Sequence, residues 1–302
     1  MSFQSTPLAR TTPPEVADGQ GTRRVHLYYP AEGFGCLYHR TMLNDFFAKF
    51  IGESKIDSVA EAPLDSYGMV GAGSLIFNQL GRKLTLISQD KALLARASSL
   101  LEFNAITDVT CLHSALEHIP VPADIFDFSW SYERIQAVPD ASAVVAELCR
   151  VSKAVMVVVP NKYNYGQYSH YFYHRVSGTT CDYVGPNTLM RPKPVREMLQ
   201  KRGLVILREG MIDIPWWPLF PELPNLVRRV LGRTSVTIDP QKNPEANPEV
   251  VPLSELSKVR ERIEKAAVIE RSSWIPNFIK LLFAHSAYVI GCKPRYRAQL
   301  GL

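Results

Sequence analysis

A chain of 302 residues, 46% hydrophobic and 21% charged, has the make-up of an ordinary globular protein and the length for one large core or one core with an accessory lobe. Its net charge of +5 comes from scattered Lys and Arg, and the tightest basic group, Arg228, Arg229 and Arg233, reads as a solvated helix face, which argues against a nucleic-acid partner. Cys36, Cys111, Cys149, Cys181 and Cys292 are odd in number and show no CxxC spacing, which argues against a disulfide framework or a zinc site and fits a reducing cytoplasm.

In chain order, residues 1–24 hold too little apolar content to order themselves and read as a flexible arm. No charged start is followed by an apolar core, so no signal peptide is expected. Residues 25–54 form an N-terminal helical segment. Within it Met42, Leu43, Phe46, Phe47, Phe50 and Ile51 recur at three- and four-residue spacing, which predicts a helix over Cys36–Ile51 with one buried face, closed by Gly52.

A first strand is predicted at Ile56–Glu61, followed by a loop carrying Gly68, Gly71 and Gly73 and a helix over Ser74–Leu80. The second strand is Leu84–Ser88, and a helix follows from Lys91 to about Leu101 with Asp90 as its N-cap. Val109–Leu112 and Phe126–Trp130 read as the third and fourth strands. Pro139 and Asp140 open a helix over Ala141–Arg150, and Val155–Val159, apolar on both faces, is a fifth strand buried between helical layers.

Strands alternating with helices imply a parallel sheet, whose ligands sit beyond the carboxyl ends of the strands. After Asn161 comes a Tyr-rich segment, then a helix over Pro192–Arg202, a sixth strand at Leu204–Leu207 and a candidate seventh at Ala287–Gly291. The α/β domain is therefore bounded at 55–209 and 285–295. Residues 210–284, with IPWWPLFPELP and a charged helix from Glu255 to about Ala267, form an insertion that serves as a substrate or interaction lobe. The longest apolar stretch, Trp274–Ile290, is interrupted by Asn277, Lys280 and His285 and is too short and polar for a transmembrane segment.

The acidic end of strand one, the glycines after it, FDFSWS at strand four and ELCRVSKAVMVVVPN across the next helix and strand resemble the class I S-adenosylmethionine-dependent methyltransferases. The resemblance spans about Ile56–Leu207 plus the last strand. It implies a Rossmann-like, mostly parallel seven-stranded sheet with helices on both faces and a reversed last strand. It also implies a cofactor, S-adenosylmethionine, lying across the carboxyl ends of strands one to four.

Carried onto this chain, the resemblance places Glu61, Pro63, Gly68 and Gly71 at the cofactor's amino-acid end. Ser88 and Gln89 fall at its ribose, Ser114, Ala115 and Leu116 beside its adenine, and Ser129 and Trp130 at the exit of strand four. The sequence departs from the family pattern at three points. Pro63 stands where a glycine is usual, Ser88 and Gln89 replace the acidic end of strand two, and Ala115 takes the place of an acidic residue after strand three.

Several residues keep two readings. Glu61 contacts the cofactor or orders the loop, Asp90 reaches a ribose or caps its helix, and Trp130 lines the site or belongs to the core. Tyr132 stands where methyl group and acceptor meet. His170 and His174 are spaced to share a helix face, as a metal pair or as a catalytic base, and the third ligand that a metal needs is missing. Asn161, Tyr163, Tyr165, Trp216 and Trp217 are candidates for an acceptor pocket, with ordinary packing as the alternative for the tryptophans.

The expected activity is methyl transfer to a small or lipid-like acceptor, with no nucleic acid and no metal; the rival is a methyltransferase fold kept as a catalytically silent binding or scaffold subunit. A nicotinamide enzyme is disfavoured, because its GxGxxG turn and strand-two carboxylate are both missing.

Overall fold

The computed structural model describes residues 34–64, 70–103, 106, 108–166, 187–215 and 256–302. Its framework is a seven-stranded sheet in the order β3-β2-β1-β4-β5-β7-β6. The strands are β1 (Ser58–Glu61), β2 (Lys83–Ser88), β3 (Val109–His113), β4 (Phe126–Tyr132), β5 (Ser152–Pro160), β6 (Val205–Ile212) and β7 (Ser286–Cys292). Pairing is parallel from β3 across to β5, and β7 runs antiparallel to both β5 and β6. The start of β7 and the end of β6 therefore lie at the same edge as the carboxyl ends of β1 to β5.

The helices are α1 (Phe34–Gly52), α2 (Leu75–Gln79), α3 (Lys91–Phe103), α4 (Ala141–Val151), α5 (Pro192–Lys201), α6 (Leu256–Ala266), α7 (Val268–Arg271), α8 (Asn277–Phe283) and α9 (Arg297–Leu300). Side chains alternate across a strand, and β5 uses that rule to serve two cores. Ala154, Met156 and Val158 join α1, α2 and α3 on one face, while Val155, Val157 and Val159 join α4 and α5 on the other.

α1 buries Tyr38, Met42, Leu43, Phe47, Phe50 and Ile51. Each such side chain contributes roughly 1.5–3 kcal/mol when fully buried, so α1 belongs to the core of the sheet. Phe47 packs on Phe77 at 4.6 Å and on Trp130 at 4.9 Å between ring centroids. Near the start of α1, Tyr38 bonds to Glu270 and His39 approaches Asp213, which sets that end of the helix over the carboxyl edge. Ile263, Ala266 and Ala267, inside the expected insertion, are buried in this same core.

The strand and helix ends differ from the sequence reading by a few residues, with one larger exception. β6 is twice the predicted length, reaching Ile212 through Arg208, Glu209 and Gly210. It is an edge strand, half exposed and irregular at Ile206/Arg208, so its outer half lacks the apolar signal of a buried strand. α2 is shorter than expected because a tight turn over Ala72–Ser74 precedes it.

Candidate active site

Four strand ends form the first half of the carboxyl edge. Glu61 closes β1 with only 1% of its surface exposed and accepts a 2.6 Å hydrogen bond from Ser74 Oγ. The same Oγ accepts the indole N–H of Trp130 at 2.7 Å. This buried chain ties the start of α2 to the ends of β4 and β1. The backbone continues past β1, where Ala62 N–H bonds to Trp130 O and, beyond Pro63, Leu64 N–H bonds to Ile87 O.

The two glycines described in this loop are required by close packing. Gly71 has a φ of +79°, which a side chain rarely adopts. A Cβ on Gly73 would lie 2.9 Å from the Trp130 ring. Gly68 lies outside the described residues.

At the end of β2, Ser88 is buried and its Oγ accepts the Asp90 N–H at 3.0 Å. Asp90 Oδ1 accepts the Ala92 N–H at 2.7 Å, the arrangement of a helix N-cap. Gln89 and Asp90 are themselves exposed. Beyond β3, Ser114 Oγ lies 2.8 Å from Ala115 O and 3.1 Å from His118 O. Leu116 is buried there and Ala115 exposed. In β4, Ser129 and Trp130 are both buried, with Trp130 inside the aromatic core.

The second half of the edge gathers side chains that sequence reasoning did not single out. Glu133, one residue past β4, is buried with φ +45° and accepts a very short hydrogen bond from Ser286 Oγ at the start of β7. Asp213, one residue past β6, is buried with φ +61°. Its Oδ2 lies 2.9 Å from His285 Nδ1 and 3.3 Å from His39 Nδ1. The His39 ring packs on Tyr132, with centroids 4.6 Å apart. Glu270 of α7 accepts N–H groups from Asp213 and Ile214 at 3.1 and 2.9 Å and the Tyr38 hydroxyl at 2.8 Å.

Charges in this group tune one another. Burial alone would raise the Asp213 pKa, but His285 and His39 outweigh it and hold the carboxyl well below its ordinary range. Burial disfavours the proton on His285, yet the Asp213 carboxylate, with Glu133 and Glu270 beyond it, pushes its pKa above the usual value. Glu270 is raised by burial and by the Asp213 charge, against its hydrogen bonds. Tyr38 is raised far enough by burial and Glu270 to remain a hydroxyl donor.

The remaining predicted residues lie nearby or beyond description. Asn161 is buried and its amide donates to Leu281 O at 2.7 Å and Ala284 O at 2.8 Å, anchoring the end of α8 together with Asn164. Tyr163 is exposed beneath the Arg191 guanidinium, 5.5 Å from the ring centroid. Tyr165 is half-buried against Phe283. His170, His174, Trp216 and Trp217 lie outside the described residues. A signal for the missed group exists in position alone: Glu133 and Asp213 are acids immediately after strands, and His285 immediately precedes one.

A cavity of about 540 Å³ opens at the opposite, amino end of the strands, between Asp57, Lys83, Asp108 and Ile125. It is remote from the groups above. Among the described residues no cluster of His, Cys, Asp and Glu is arranged to hold a metal, and no helix is long and apolar enough to cross a membrane.

Residues 67–155 match the family profile described as a methyltransferase domain. Residues 67–155 thus carry a methyltransferase-domain match, and the sheet around them has the order and reversed last strand of the class I S-adenosylmethionine-dependent methyltransferase fold. S-adenosylmethionine is the cofactor of this domain family. The matched segment starts after β1, so Glu61 and Pro63 fall outside it.

No curated protein sequence matches the chain. Solved structures similar to it include a protein from Galdieria sulphuraria described as a sarcosine dimethylglycine methyltransferase, 15% identical over 85% of this chain and 86% of that one, with a TM-score of 0.47. A SAM-dependent methyltransferase from Aquifex aeolicus is 16% identical over 62% and 94%, with a TM-score of 0.43. Phosphoethanolamine N-methyltransferase 2 from Haemonchus contortus, solved with S-adenosyl-L-methionine, is 13% identical over 83% and 52%, with a TM-score of 0.46.

The polar groups of the methyltransferase domain suit the family's cofactor. Gln89 and Asp90 are exposed and polar at the end of β2, and exposed Ala115 adjoins buried Leu116 beyond β3. Glu61 sits one layer deeper and acts on the loop through Ser74.

Proposed function

We propose that this protein transfers a methyl group from S-adenosylmethionine to a small or lipid-like acceptor in the cytoplasm. The bound cofactor supplies an electrophilic methyl group on a sulfonium. Everything else asked of the protein is alignment and exclusion of water. Gln89 and Asp90 hold the ribose, Ala115 and Leu116 flank the adenine, and Ser88 and Ser114 shape the two strand ends through their own hydrogen bonds. Glu61, Ser74 and Trp130 hold the turn into α2 against the ends of β1 and β4. The acceptor enters beside Tyr132, between the ends of β4 and β6.

The observation that carries this reading is the division of one sheet edge into two unlike halves. An open polar and apolar shelf spans β2 and β3, and a buried acid–imidazole group spans β4, β7 and β6. A scaffold protein has no need of the second half, which is why the catalytic reading is preferred over the silent one.

Calorimetric titration with S-adenosylhomocysteine tests it. Saturable binding is expected, weakened about tenfold or more in the double variant Gln89→Ala, Asp90→Ala through loss of ribose hydrogen bonds of about 1.5–3 kcal/mol for a charged partner. Absence of heat and of any thermal shift at millimolar ligand would favour the silent scaffold.

A further inference from the structure

Resting on the methyl-transfer reading, the geometry points to His285 as a general base, oriented by Asp213, that takes the proton from a hydroxyl acceptor, which makes the reaction an O-methylation. The Nδ1 of His285 faces Asp213 Oδ2 at 2.9 Å, so the ring carries its proton on Nδ1 and presents a lone pair on Nε2. Nε2 makes no hydrogen bond among the described residues, and the side chain is 26% exposed at the carboxyl edge. The orienting carboxylate is 7% exposed, and the backbone that carries it is anchored where the Asp213 N–H donates to Glu270. A base oriented by a third group is the arrangement general-base catalysis needs.

Placement supports the assignment. His285 adjoins Ser286, whose hydroxyl is bonded to Glu133, and Glu133 follows Tyr132 at the end of β4. His39, which approaches the same Asp213 Oδ2, packs at a tilt against that same Tyr132. The imidazole therefore borders the point where acceptor and methyl group meet. Asp213 and Glu133 both hold positive φ, a conformation side-chain-bearing residues rarely adopt and one that persists where the surroundings enforce it.

The chemistry selects the acceptor class. A neutral amine attacks a sulfonium methyl without help, whereas a hydroxyl must lose its proton. In the step, the acceptor O–H bond breaks and its proton passes to His285 Nε2. The oxygen lone pair forms the new O–CH3 bond as the C–S bond breaks, and that pair stays on sulfur. The products are the methyl ether, S-adenosylhomocysteine and an imidazolium paired with Asp213. Asp213, Glu133 and Glu270 stabilise the charge on the imidazolium, Tyr38 and His39 of α1 complete the shell, and Lys280 of α8 is held away on the Glu270 carbonyl at 3.1 Å.

The experiment uses the full chain with S-adenosylmethionine and a panel of small phenols, aliphatic alcohols and matched primary amines, read by release of S-adenosylhomocysteine. Hydroxyl acceptors are expected to turn over, with kcat rising with pH through an ionisation above 6.5 and then levelling. His285→Gln is expected to lower kcat by about 100-fold or more while S-adenosylhomocysteine affinity stays within about twofold.

In parallel, imidazole NMR titration of the unmodified protein is expected to place the His285 ionisation above that of an unperturbed histidine, and Asp213→Asn to lower it and shift the rate profile the same way. Methylation of amines alone, turnover of no acceptor, or a His285→Gln rate within about threefold of wild type with cofactor binding intact would each overturn the assignment. A wild-type protein that binds no S-adenosylhomocysteine would remove the methyl-transfer reading as well, so the two failures are told apart.

Discussion

Ser74 carries more than its size suggests, because a single hydroxyl joins the Trp130 indole of β4 to the Glu61 carboxylate of β1. Replacing it with Ala leaves a buried indole N–H without its partner and weakens the hold on a buried carboxylate, a loss of about 1–3 kcal/mol. Ser74→Ala is therefore expected to lower the urea midpoint with an unchanged m-value, and an unaltered midpoint would remove Ser74 as the link.

Asp213 makes a different prediction, in pH. Its depressed pKa gives stability that is present above the unfolded value of 3.8 and is lost as pH falls through the folded value. The raised pKa of His285 gives stability that is complete below 6.5 and is lost as pH rises through its folded value. The stability gap between wild type and Asp213→Asn is expected to be widest between those two values and to narrow on either side. Denaturation at a series of pH values checks this, and a gap that is flat with pH contradicts it.

At the scale of elements, the segment ELCRVSK that most resembles known methyltransferases has a structural explanation. Glu147 of α4 accepts the Ile119 N–H at 2.7 Å, and Arg150, paired with it at 2.6 Å, donates to Val121 O and Ile119 O. Lys153, at the head of β5, reaches Asp127 of β4 at 2.7 Å. These bonds staple the connection before β4 to the helix after it. Glu147→Ala removes the acceptor of a buried N–H and is expected to cost about 1–3 kcal/mol with no change in residues that face the cofactor. A thermal-shift comparison with Lys265→Ala, whose i,i+4 pair with Glu261 is exposed and screened by solvent, gives the contrast.

The same scale explains what the sequence made legible. β5 and α4 announce themselves through an unbroken apolar run and a helical stripe, because both are buried on the faces that patterning reports. β6 hides its outer half, since an edge strand with Arg208 and Glu209 resembles a loop. The N-cap at Asp90 was readable because local chemistry alone sets it. The group of His39, Glu133, Asp213, Glu270 and His285 was not, because five sequence-distant residues meet only when β7 reverses and β6 returns beside it.

Across the whole molecule, the fold sorts its polar groups by edge. The amino end holds an open cavity rimmed by Asp57, Lys83 and Asp108, while the carboxyl end holds the buried acid–imidazole group and the shelf beside β2 and β3. The central claim is that the ligand edge is the carboxyl one. Hydrogen exchange followed by mass spectrometry, with and without saturating S-adenosylhomocysteine, tests it most directly. Protection is expected in peptides covering 70–75, 88–92 and 114–118, with little change at 55–58 and 106–110. Protection confined to those latter peptides, or none anywhere, would contradict the account.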